Sequence, residues 1–173
     1  RNCGWIDPDD IHDYILHANG LAGLFRAVQK GRPECFSRLC VSYYEDHVGT
    51  GSSSLDQWKE CLESGKPDTC LVCNAVAVGE EAGPGSLLLR SDPFSILEGL
   101  LIGAYVVGAT SCLVYLAAKG GLAPKLRDCL QALSRYNLVG PGILGSSFGA
   151  HFEIQEVPET VLDGHLWESF RCI

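Results

Sequence analysis

The longest apolar region of the chain, residues 69–118, changes its hydrophobic spacing twice. Leu71–Cys73 is a short apolar run of the kind found in strands that are buried on both faces. From Pro93 to Val107 the apolar residues recur at helical spacing, and a second continuous apolar run follows at Cys112–Leu116. This order predicts a βαβ unit, in which two parallel strands lie side by side and a crossover helix covers one face.

A membrane-spanning helix is the rival interpretation, because residues 99–118 contain no charged residue. Glycines interrupt this stretch, and its spacing changes from helical to strand-like after Gly108. The proposed crossover helix also has its own start signal, since Ser91 and Asp92 can cap a helix and Pro93 suits its first turn. These signals favour the βαβ unit over the membrane helix.

Patterns on both sides of this unit predict further elements, and together they give an α/β fold. We expect a small, mostly parallel, Rossmann-like sheet flanked by helices, with a helical N-terminal lead-in at residues 1–47 and the α/β unit at 48–173, in one compact domain. The predicted flanking helices are Pro8–Ala18 (capped by Asp7), Leu21–Lys30, Pro33–Tyr44, Gln57–Glu63 and Pro124–Tyr136, with a short extended piece at Ile143–Leu144 and a strand at His151–Val157.

The amino-acid composition excludes some classes of function for this chain. The net charge of −8 over 173 residues argues against a nucleic-acid surface or an anionic-membrane patch. Nine cysteines are scattered among apolar positions, and we find no signal-peptide pattern, so we expect free thiols in a reducing compartment, either the cytoplasm or an organelle matrix. Because the chain contains no methionine, we expect that it was processed or that further sequence precedes it.

The cysteines and other reactive residues do not form a recognisable metal site or catalytic triad. Cys70 and Cys73 have C-x-x-C spacing, but residues three apart on a strand point to opposite faces and cannot easily share one ion. No H-E-x-x-H, G-x-S-x-G or P-loop pattern is present. We therefore expect no catalytic residue and no bound metal in this chain.

Short motifs that follow one another along nearly the whole chain are similar to a known family. They begin upstream with I-D-P at Ile6–Pro8 and continue with C-N-A at Cys73–Ala75 and I-L-E-G at Ile96–Gly99. Downstream are Y-N-L-V-G at Tyr136–Gly140 and I-L-G at Ile143–Gly145. Their order resembles the FMN-binding subunit of NADH dehydrogenase and the flavoprotein subunits of NAD-linked and electron-bifurcating hydrogenases, and it implies a truncated, divergent member.

In the resembling subunits, FMN lies in the crevice beyond the carboxyl ends of the strands, takes hydride from NADH and passes electrons singly to iron–sulfur clusters. The family's glycine-rich loop, G-R-G-G-A-G-F-P-T-G-x-K-W, aligns on Trp58. Gly49 and Gly51 then match two of its glycines, and Gln57 replaces its lysine. Lys59 is the candidate substitute for that lysine, although its direction on a helix differs by about 100°.

Two further family motifs are only partly preserved. Asn74 matches the family's N-A-D-E-x-x-P-G, but the acidic pair is lost on one alignment and falls on Glu80 and Glu81 on the other. Later, Glu159 matches the acidic end of the family's glycine-rich NADH segment, whose glycines are absent. The cofactor-binding candidates that the resemblance implies are Gly49, Gly51, Lys59, Asn74, Glu80, Glu81 and Glu159.

Two functions follow from the resemblance. In the first, the chain is a structural or accessory subunit of an NAD-linked electron-transfer complex, binds no FMN, and contacts iron–sulfur or flavin subunits through its surfaces. In the second, it still binds FMN and NADH and carries electrons to iron–sulfur partners. The rewritten loop with Gln57 in place of the lysine, the missing glycine-rich NADH segment and the absent cluster domain favour the first. The nearby acidic residues Asp46 and Asp56 would also repel a flavin phosphate.

Overall fold

The computed structural model of the protein describes residues 6–42, 54–65, 69–76, 84–118, 121–157 and 170–172. Helices and strands alternate through the second half of the chain, after a run of helices. The helices are α1 (Ile11–His17), α2 (Ala22–Lys30), α3 (Arg32–Ser42), α4 (Ser54–Ser64), α5 (Pro84–Ser91), α6 (Pro93–Val107) and α7 (Leu122–Arg135). The strands are β1 (Cys70–Ala75), β2 (Ser111–Ala117), β3 (His151–Val157) and β4 (Phe170–Cys172).

The described strands form one sheet in the order β3-β2-β1-β4. Strands β1 and β2 are parallel, with Leu71 opposite Cys112, and β2 and β3 are also parallel, with Cys112 opposite Phe152. Strand β4 is antiparallel to β1. The predicted α/β fold with a mostly parallel sheet is confirmed, and so is the pairing of β1 with β2.

The crossover helix α6 has the bounds that the sequence predicts. It ends because Gly108 adopts a positive φ of 80°, from which its N–H reaches back to the carbonyl of Ala104. The chain then turns into β2 at Ser111, so the apolar stretch from 99 to 118 is divided between a helix and a strand. Within the described ranges, no helix is both long and apolar enough to cross a membrane.

The core lies between the sheet and α6. Alternate residues of β2 are buried while the residues between them are half-buried, whereas Leu71, Val72 and Cys73 of β1 are all buried. The prediction of burial on both faces is therefore confirmed for β1 and wrong for β2. Fully buried side chains from both layers fill the space: Phe94, Leu97 and Leu101 of α6, Leu116 of β2, and Leu126 and Leu133 of α7.

Helix α4 reaches this core through Trp58, which packs where α6 has a glycine. A Cβ atom at Gly103 would lie 3.2 Å from the Leu71 Cδ2 atom and 3.2 Å from the Trp58 ring. We therefore expect Gly103→Val to lower the free energy of unfolding by about 1–3 kcal/mol, as overpacking does. Gly99→Val, one turn earlier on the exposed side of α6, is the matched control because a Cβ there meets nothing within 4 Å. Equal urea midpoints for the two variants would contradict this packing.

The start of α1 was predicted wrongly. The helix begins at Ile11 rather than Pro8, and Asp10 caps it by accepting the His12 N–H at 2.8 Å. The predicted cap, Asp7, instead accepts the N–H of Asp9 at 2.9 Å and so forms a turn before the helix. Two neighbouring acidic residues can both cap a helix, and the sequence does not distinguish them.

Two other local predictions were also wrong, and one helix was not predicted. Residues Ile143–Gly145 form a 3₁₀ turn rather than an extended piece, because Ile143 donates its N–H to the carbonyl of Phe148 at 2.8 Å and closes the loop. Helix α5 lies between β1 and α6, where the sequence patterns predict neither a helix nor a strand. Asp92 precedes α6, but its side chain makes no capping hydrogen bond. The predicted end of α3 at Tyr44 lies outside the described residues.

Candidate functional site

The carboxyl ends of the three parallel strands meet at one edge of the sheet, as the Rossmann-like interpretation requires. Asn74 lies at this edge, one residue before the end of β1, and is half-buried. Its side-chain oxygen accepts the backbone N–H of Val76 at 3.1 Å, which forms a turn as the chain leaves the strand. The structure thus places one of the predicted cofactor ligands at the expected edge, with one of its acceptor positions already used.

Lys59 lies on the exposed side of α4. Its side chain is 64% exposed, and its Nζ atom is 4.0 Å from the Glu63 Oε1 atom in the next turn of the helix. The neighbouring Trp58 points instead toward α6, against Gly103. Lys59 is thus a solvent-exposed cation, and at 4.0 Å its contact with Glu63 is a weak surface ion pair.

The other predicted cofactor residues, Gly49, Gly51, Glu80, Glu81 and Glu159, lie outside the described residues. The fit of FMN can thus be tested on Asn74 and Lys59. A flavin phosphate needs N–H donors and usually a cationic side chain. Asn74 is neutral and its side-chain oxygen takes part in a turn, whereas Lys59 is an exposed cation, so of these two residues only Lys59 carries a charge that an FMN phosphate would bind.

The described cysteines are free thiols, and the deeply placed ones are poor nucleophiles. Burial raises the pKa of the Cys73 and Cys112 thiols to about 12 and that of Cys129 to about 11. Thiols with such pKa values carry almost no thiolate at neutral pH. Among the described residues, no group of three or more His, Cys, Asp or Glu side chains could hold a metal ion.

A buried carboxylate that sequence reasoning did not single out lies on α6. Glu98 is 9% exposed, and its oxygens accept hydrogen bonds from the Tyr14 hydroxyl, the Leu21 N–H (2.9 Å) and the Leu24 N–H (3.0 Å). Burial and the bond to Glu98 raise the pKa of the Tyr14 phenol well above its ordinary value. One signal was available, because Glu98 is the single charged residue of the otherwise apolar Pro93–Val107 helix.

A cleft of about 620 Å³ opens beside Glu98. It is lined by α1, α2, the turn between them and the first half of α6, and none of the described strand residues contributes. Its polar side chains include His17, Arg26, Asp92 and Ser95. The cleft is therefore a feature of the junction between the lead-in helices and the crossover helix, separate from the Asn74 edge.

Comparison of the sequence with known proteins shows which proteins the chain is similar to. The chain is 33% identical over 159 residues to the HndC subunit of the NADP-reducing hydrogenase of Solidesulfovibrio fructosivorans, covering 90% of this chain and 31% of that protein. It is 35% identical over 155 residues to the F 2 subunit of the NADH-quinone oxidoreductase of Rhizobium meliloti, covering 83% of this chain and 35% of the relative. The chain is thus similar to subunits of NADH-quinone oxidoreductases and of an NADP-reducing hydrogenase.

These similarities confirm the resemblance inferred from the order of motifs. The F subunit of the NADH-quinone oxidoreductase of Aquifex aeolicus also matches, at 26% identity over 141 residues, 79% of this chain and 32% of that protein. The chain thus spans about a third of the length of these curated relatives. No family model matches the chain.

Proposed function

We propose that the chain is an accessory subunit of an NAD-linked electron-transfer complex and that it binds no flavin. The observation that carries this proposal is the replacement of the family's lysine. Gln57 stands at that position, and Lys59, the nearest lysine, lies on the exposed side of α4 beyond the first turn of the helix. A flavin phosphate would therefore lack the cation that the family's loop provides.

The start of α4 also disfavours a phosphate. Asp56 lies in the first turn of this helix, where a carboxylate interacts favourably with the N–H groups and the helix dipole. A phosphate arriving at the same end would meet this negative charge, at a cost on the order of 1 kcal/mol or more at close approach. The overall net charge of −8 also disfavours the binding of an anionic phosphate.

An accessory role depends on the folded surface of the chain and does not require a cofactor in the crevice at the carboxyl ends of the strands. The parallel strands, the crossover helix α6 and their shared core are all retained, so the chain can present a folded surface without a cofactor. Because the relatives are named as subunits of oxidoreductases and a hydrogenase, we propose that its partners are iron–sulfur or flavin subunits of such a complex. We place this complex in a reducing compartment, either free or peripheral to a membrane.

The accessory role and a redox role predict different results for variants in the assembled complex. Asn74→Asp keeps the acceptor that forms the turn with Val76 but changes the side chain at the sheet edge. Lys59→Ala removes an exposed side chain. We expect complexes carrying either variant to assemble and to transfer electrons from NADH at rates within about twofold of the unmodified complex, because neither residue contacts a cofactor.

Omitting the chain altogether is the control, and we expect that this omission lowers the yield of assembled complex. The alternative function, an FMN- and NADH-binding redox subunit, is favoured by the position of Asn74 at the carboxyl edge. A complex that assembles normally with Asn74→Asp but loses NADH-dependent electron transfer would establish that alternative and overturn the accessory role.

A further inference from the structure

Helix α2 begins without a cap of its own. Its N-cap residue, Leu21, has an apolar side chain and a left-handed backbone with φ of 64°, and it makes no side-chain capping hydrogen bond. The first N–H groups of a helix have no partner within the helix and need an acceptor from elsewhere. Glu98 supplies it from α6, since Oε2 accepts the Leu21 N–H at 2.9 Å and Oε1 accepts the Leu24 N–H at 3.0 Å.

Helix α1 converges on the same carboxylate. The Tyr14 hydroxyl donates to Glu98 Oε2, and the Tyr14 ring stacks on Phe94 of α6 with ring centroids 5.6 Å apart. The Gly20 N–H donates to the Tyr14 carbonyl at 2.9 Å, which holds the turn between α1 and α2 against this point. A buried carboxylate is costly unless it is hydrogen-bonded, and here its donors come from both lead-in helices.

Two glycines make room for this arrangement. A Cβ atom at Gly23 would lie 2.8 Å from Glu98 Oε1, and one at Gly20 would overlap the Tyr14 ring. Any larger residue at either position would displace the carboxylate or the tyrosine. The lead-in helices thus have glycines where larger residues would collide with Glu98 or Tyr14. The contacts of Glu98 join segments that are 74 or more residues apart in the chain.

We propose that Glu98 is a latch that holds α1 and α2 on the crossover helix as one unit. When the latch is lost, both helices open together more often, while the parallel sheet keeps its structure. The cleft beside Glu98, with Asp92, Ser95 and Arg26 among its lining residues, brings water close to this group of hydrogen bonds. This inference is independent of the proposed function, because it involves neither the flavin crevice nor a partner.

Hydrogen exchange of the full chain, resolved by segment, tests the latch. In Glu98→Ala we expect the amides of residues 11–30 to exchange at least about tenfold faster, because the variant leaves the N–H groups of Leu21 and Leu24 without a charged acceptor. The amides of β1, β2 and β3 should stay within about twofold of the unmodified protein. Equal acceleration in the sheet and the lead-in, or no acceleration in the lead-in, would overturn the proposal.

A milder pair of variants keeps the test decisive if Glu98→Ala does not fold. Gly23→Ala places a methyl group against Glu98 Oε1, whereas Gly99→Ala, the next residue after Glu98 on α6, meets nothing within 4 Å. Both variants replace a glycine in a helix by alanine, which has the higher helix propensity, so the stabilisation from this change is common to the two. We expect faster exchange in residues 11–30 for Gly23→Ala alone, by about fivefold or more. Identical exchange in the two variants would show that the latch does not exist.

Discussion

Replacing Leu101 with alanine should lower the free energy of unfolding by about 2–5 kcal/mol. Leu101 is 0% exposed, at the middle of α6, in the cluster that joins the sheet to the lead-in helices. The substitution removes buried methyl groups and leaves a cavity that close-packed neighbours can fill only in part. Urea denaturation at neutral pH, followed by circular dichroism, measures the loss.

Leu87→Ala is the matched control for this prediction. Leu87 lies on α5 and is 62% exposed, so the same chemical change should alter stability by less than about 0.5 kcal/mol. A loss below about 1 kcal/mol for Leu101→Ala, or losses of equal size at the two positions, would mean that α6 is not the centre of the core.

The second large effect is a loss of stability in alkali, caused by the buried thiols. The ordinary thiol pKa is 9.0, whereas burial raises the pKa of Cys73 and Cys112 to about 12 and that of Cys129 to about 11. Above pH 9 the unfolded chain therefore loses these protons before the folded chain does. Stability is fully present below pH 9 and falls as the pH rises toward 11, by about 1.4 kcal/mol per pH unit for each thiol.

The three thiols together should lower the free energy of unfolding by at most about 4 kcal/mol per pH unit in this range, and the raised pKa of the Tyr14 phenol adds to the loss above about pH 10. Denaturant titrations at intervals between about pH 8 and 10.5 give the slope. Cys112→Ala should flatten this slope by up to about a third, whatever the cavity does to absolute stability, because the variant removes one of the thiols whose pKa burial raises. A slope unchanged by this substitution, or stability constant up to about pH 10.5, would contradict the burial of these thiols.

The sequence predicts the βαβ unit because local signals and tertiary packing agree there. Pro93 and Gly108 bound α6 by their backbone chemistry, and the apolar spacing of the helix matches the face that it buries. Helix α5 was not predicted because Leu87 and Leu88 are exposed, so its apolar residues do not mark an inner face. Strand β4 has three residues and exists through its pairing with β1, which no local pattern reveals.

Less of the candidate site than of the fold could be predicted from the sequence. The position of Asn74 followed from the end of a strand, and Lys59 lies on a helix, as the sequence predicts. The direction of Lys59 relative to the family's lysine stays a prediction. Glu98 was missed because sequence reasoning looks for a helix cap among the preceding residues. Here the cap comes from a helix 74 residues away, and its role becomes clear when α2 and α6 are seen packed together.

Titration of the purified chain with FMN by isothermal calorimetry tests the central claim most directly. If the chain has kept the family's fold without its cofactor site, FMN should produce no saturable heat, and the protein should emerge from gel filtration without flavin absorbance. Saturable binding of one FMN per chain, weakened by Asn74→Asp or Lys59→Ala, would contradict the account and establish a functional flavin site at the carboxyl edge of the sheet.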